Sequence, residues 1–86
     1  MVKNPARKDG TTALAQYRKH RDDIDRLIDV IQMELDKCDE QMEHDYKNWS
    51  RTGSIAKVRS DLMDTLAFVS GMDRELVATF LKEAAE

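Results

Sequence analysis

The sequence predicts an all-α protein. Its N-terminal helix is long and folds as an antiparallel helical hairpin with a second helix, and a short third helix ends the chain. Three observations predict this class. Apolar residues recur at steps of three and four along most of the chain. Proline occurs once, at Pro5, and glycine three times, at Gly10, Gly53 and Gly71. Val, Ile and Thr are scattered rather than alternating, so no stretch has the period of two that a half-buried strand needs.

Residues 1–12, MVKNPARKDGTT, read as a disordered basic arm carrying Lys3, Arg7 and Lys8. A hydroxyl on Thr11 or Thr12 is expected to cap the first helix. The remainder, 13–86, reads as a single helical domain. Helix one is expected over about 13–49. Its apolar positions are Leu14, Tyr17, Ile24, Ile28, Ile31, Leu35, Cys38 and Met42. Their spacing is that of an a/d heptad seam, with Arg21 at the a position in the one step of seven. Leu27 lies beside the seam and widens it.

"SRTGS", residues 50–54, interrupts the pattern. Gly53 is expected to break the chain and Ser54 to cap helix two, over about 55–70. Its apolar set is Ile55, Val58, Leu62, Leu66 and Val69, widened by Met63 and Phe68. So short a connection favours antiparallel neighbours. Helix two is about half as long as helix one, so much of the seam has no partner within the chain. Gly71 then turns the chain and Asp73 caps helix three, over about 73–85. Met72 and Val77 are spaced as a hydrophobic staple. Helix three is expected to bury Leu76, Val77, Phe80, Leu81 and Ala84.

The stretch "LAFVSGMDRELVATF", residues 66–80, resembles a helix-turn-helix, a likeness that extends from Met63 to Lys82. Ala67 allows close crossing, Gly71 the turn, and Val77 the packing into the angle. The resemblance implies a DNA-reading face with Arg74, Thr79 and Lys82, aided by Arg7 and Lys8 in the arm. Asp73 and Glu75 share that face and cancel its positive charge. Phosphate neutralisation supplies most nonspecific affinity, so a structural corner is the better reading.

Charge is segregated. Residues 1–21 carry six Lys or Arg against one acid, and residues 22–45 carry ten acids against two basic residues. A parallel dimer through helix one would set acid against acid. An antiparallel one sets the basic start of one helix toward the acidic stretch of the other. The acidic face from Asp22 to Asp45 reads as a solvated helix face, and less readily as a mimic of a phosphate backbone.

Chemistry finds little to work with. No glycine loop precedes a phosphate-binding lysine, and no Ser/His/Asp set converges, so no catalytic residue is assigned. "CDEQMEHD", residues 38–45, places only Glu40 and His44 on one face. Two ligands do not close a metal site, so no metal and no cofactor are expected. Cys38 is the single cysteine, and no apolar run approaches a membrane span. The reading is a soluble cytoplasmic protein. Trp49 is expected near the hairpin tip, either covering the end of the core or, less readily, anchoring a partner.

The sequence therefore reads as a non-enzymatic regulator, inhibitor or assembly accessory that works through protein–protein contacts. Its partners are a second copy of itself, through Leu14, Tyr17, Ile24, Ile28, Ile31 and Leu35, and an unidentified protein. The alternative is a helix-turn-helix DNA-binding regulator.

Overall fold

The computed structural model describes residues 10–85, with side chains from Thr12 onward. The described residues form three helices and no strand: α1 (Gly10–His44), α2 (Trp49–Ser70) and α3 (Arg74–Ala85). The all-α class stands. The chain divides into two units, Met1–His44 and Asp45–Glu86. The antiparallel packing of helices one and two stays an expectation from the short connection.

In the first unit α1 runs unbroken for 35 residues, roughly 52 Å at 1.5 Å per residue. It starts at Gly10, so Thr11 and Thr12 lie inside its first turn and neither caps it. Residues 1–9 of the expected arm, with Arg7 and Lys8, lie outside the described residues. The ion pairs along α1 are local: Arg21 with Asp25, Arg26 with Asp23, and Lys37 with Glu34. Such pairs add a few tenths of a kcal/mol each to a helix, roughly 0.2–0.5. No described side chain of α1 is buried.

The break between helices falls earlier than the sequence pattern suggests. Helix α1 stops at His44 and α2 begins at Trp49. Asn48 is the N-cap, its side-chain oxygen accepting from the Arg51 N–H at 2.9 Å. Its Nδ2 donates to Asp45 Oδ2 at 2.9 Å, and its backbone N–H to the Asp45 carbonyl at 3.1 Å. Gly53 and Ser54 sit inside α2, and the Ser54 hydroxyl donates to the Ser50 carbonyl rather than capping anything. A well-made Asx cap outweighs a single helical glycine, which costs only about 0.5–1 kcal/mol relative to alanine.

The second corner forms where expected. Gly71 has φ 79° and ψ 1°, the left-handed conformation, and its N–H donates to the Ala67 carbonyl at 3.0 Å. Asp73 caps α3, its Oδ1 accepting from the Leu76 N–H at 2.9 Å. Val77 packs into the angle and is 1% exposed, with Met63 of α2 at 6%. Only these two hydrophobic residues are buried among the described residues. Leu81 is half-buried, while Leu76, Phe80 and Ala84 stay exposed, against expectation. The reason is geometric: a 12-residue helix against one neighbour covers a single stripe, here Arg74, Val77 and Leu81 at steps of three and four.

Candidate interaction surface

Two apolar surfaces and one charged corner are the features from which a function can be built. The first surface is the α1 seam. The helical period puts Leu14, Tyr17, Ile24, Ile28 and Ile31 on one side, and all five are exposed. Ile28, at the middle of the seam, is 53% exposed. Leu35, Cys38 and Met42 continue the line half-buried, and the Cys38 thiol is free. Leu27, Val30 and Met33 are exposed as well. The flanks are charged, and the Asp25 hydrogen bond holds the Arg21 guanidinium above its ordinary pKa. The expected seam residues are thus brought together by one helix.

The second surface belongs to α2. Ser60, Met63, Asp64 and Ala67 form one stripe, and the first three meet Arg74 from α3. The stripe of Ile55, Val58, Leu62, Leu66 and Val69 lies on the other side of the same helix by its spacing. Four of these five are exposed and Val58 is half-buried. Phe68 belongs to neither stripe and is 88% exposed, so it does not widen the face as expected. The steps from Leu62, Leu66 and Val69 to Phe68 already place it off that line.

Trp49, the first residue of α2, is 82% exposed. Within its own unit the indole therefore covers neither Met63 nor Val77. A helix N-terminus held by the Asp45–Asn48 turn places its indole on the outside. Arg51 in the same turn has one guanidinium nitrogen, Nη1, sealed from solvent without a hydrogen-bond partner. Two residues along a helix point to opposite sides, so Trp49 and Arg51 do not form a joint site.

The corner decides what becomes of the DNA-reading residues. Arg74 turns back onto α2. Its Nη2 donates to Ser60 Oγ at 2.7 Å, and its Nη1 lies 3.3 Å from Asp64 Oδ1. The Thr79 hydroxyl donates to the Glu75 carbonyl at 3.0 Å. Thr79 and Lys82 are exposed, on the face that also carries Glu75 and Glu83. The structure therefore separates Arg74 from Thr79 and Lys82, where a recognition helix needs them together. The sequence alone did not reveal this, because Ser60 and Asp64 lie 14 and 10 residues before Arg74.

Among the described residues no group of three or more His, Cys, Asp or Glu is placed to hold a metal ion. No described helix is long and apolar enough to cross a membrane. Comparison with protein-family models, with curated proteins and with solved structures finds no match to this chain.

Proposed function

We propose that this chain is a non-enzymatic protein that works through protein–protein contacts, as a small regulator, inhibitor or assembly accessory, and that it dimerises through α1. The observation that carries the reading is the exposed seam of Leu14, Tyr17, Ile24, Ile28 and Ile31 on a single rigid helix. An apolar stripe at heptad spacing with charged flanks is the form in which helices recognise one another. Leaving several Ile and Leu side chains in water forgoes about 1.5–3 kcal/mol for each one that a partner would fully bury. Trp49 and the outer stripe of α2 supply further apolar area for a second, unlike partner.

The test is sedimentation of the native chain over a wide concentration range, beside Ile28→Asp. The variant places a charge in the centre of the seam, and burying an unpaired charge is costly enough to abolish the contact. A dimer for the native chain and a monomer with unchanged helicity for the variant is the expected result. A native chain that stays monomeric at high concentration sinks the proposal. The helix-turn-helix alternative has less support, because Arg74 is held by α2 and acidic residues flank Lys82. Salt-sensitive binding to duplex DNA would restore it.

A further inference from the structure

We infer that α1 pairs with α1 of a second copy in one particular antiparallel register, with Ile28 against the partner's Ile31 and Arg18 beside the partner's Asp39. This rests on the self-association proposed above and goes further by fixing which residues meet. In the heptad, Leu14, Arg21, Ile28, Leu35 and Met42 are a positions, and Tyr17, Ile24, Ile31 and Cys38 are d positions. An antiparallel pair sets each a against a d of the other chain. Its flanks bring e beside e and g beside g.

Three such registers keep the isoleucine-rich middle of the seam overlapped, and charge separates them. With Ile28 over the partner's Ile31, Ile24 meets the partner's Leu35, and the four central layers are all Ile or Leu. The e flank then pairs Arg18 with the partner's Asp39 twice, once at each end, and Asp25 with the neutral Gln32 of the partner subunit. Moving one heptad one way sets Asp25 beside its own copy. Moving one heptad the other way sets Asp25 beside the partner's Asp39 at both ends. The parallel in-register pair is worse again. It stacks Arg21 on the partner's Arg21 inside the seam and sets Glu34 beside the partner's Asp39. Like charges held in such positions oppose pairing, so one arrangement of the four joins an apolar centre to attractive flanks.

Arg21 is the seam's one charged residue, and its state in the structure suits this register. Its guanidinium is drawn sideways onto Asp25, one turn along the same helix. The aliphatic stem is left over the seam, where the small Cys38 of the partner subunit would face it. The seam's oddest residue thus meets its smallest one.

The native Cys38 makes the register readable. Arg21→Cys adds a thiol 17 residues away on the same helix, roughly 25 Å, far beyond the Cα separation of 4.4–6.8 Å that a disulfide spans. Any disulfide between two cysteines of the variant therefore joins two chains, formed as one thiolate displaces glutathione from the mixed disulfide of the other. With oxidised glutathione as the oxidant, the variant is expected to form a covalent dimer whose 21-to-38 linkage is identified by peptide mass spectrometry. The native chain under the same conditions is expected to remain free of a 38-to-38 bond. In parallel, Arg18→Glu should weaken self-association at low salt by roughly tenfold, since two attractions become two repulsions, and Asp39→Arg in the same chain should restore it. A dimer that links 38 to 38, or that sediments normally yet gives no 21-to-38 bond, overturns the register while self-association stands. A charge reversal that leaves the affinity unchanged also overturns it. A monomer throughout is the failure of the earlier proposal instead.

Discussion

Replacing Gly71 by alanine isolates the energetics of the corner. Gly71 sits at φ 79°, where an L-residue brings its Cβ against the neighbouring carbonyl. A Cβ built there meets nothing within 4 Å, so no side-chain clash adds to the backbone cost. The expected loss is therefore the left-handed penalty alone, about 1–2 kcal/mol. For a chain of this length, 1 kcal/mol lowers Tm by about 4–8 °C. Gly71→Asn should recover part of the loss, because asparagine tolerates this conformation better than alanine does. The assay is thermal melting followed by far-ultraviolet circular dichroism at one fixed protein concentration. An alanine variant that melts with or above the native chain would refute the reasoning, since α2 and α3 would then run on as one helix. A loss well beyond about 3 kcal/mol would also refute it, by showing that packing rather than backbone strain controls the site.

Three further outcomes are expected. Gly53→Ala should stabilise the chain by about 0.5–1 kcal/mol, because Gly53 is helical with open space around it, and a lowered Tm would instead restore the break at residues 50–54. Arg74→Ala should cost about 1 kcal/mol in urea unfolding by releasing Ser60 and Asp64, and Arg74→Lys should not restore it, since a lone ammonium lacks the fork that reaches both. The Asp61 hydrogen bond raises the Lys57 pKa, so its stabilisation is complete below the unfolded value and is lost as pH rises through the higher folded one. Lys57→Gln should thus leave the pH dependence of melting unchanged between about pH 6 and 9, and a difference appearing only above about pH 10.4 is the expected signature.

The second corner was legible because each device that builds it is local. A glycine, an acidic cap two residues later and a Met/Val staple all lie within seven residues, and each acts through its own backbone neighbourhood. The first break was misplaced because two local signals competed. Gly53 advertises a break, and Asn48 advertises a helix start five residues earlier. The Asn48 cap is worth more than the glycine costs, but a pattern that counts breakers favours the glycine. The site divides in the same way. The seam of α1 follows from spacing alone, since one helix carries it. The fate of Arg74 does not, since its partners lie three and four turns back across a corner.

That Met63 and Val77 are the only buried hydrophobic residues among those described has a consequence for the life of the chain. Their burial contributes about 3–6 kcal/mol, little against the ordering entropy of the helices that carry them. A chain so thinly buttressed opens often when alone, and each opening is an opportunity for a protease. The association proposed above would close that window by mass action, so resistance to digestion should then rise with chain concentration at a fixed ratio of protease to substrate. Under that proposal the abundance of the chain would be set less by its synthesis than by the supply of whatever occupies its faces, with surplus copies removed for want of company.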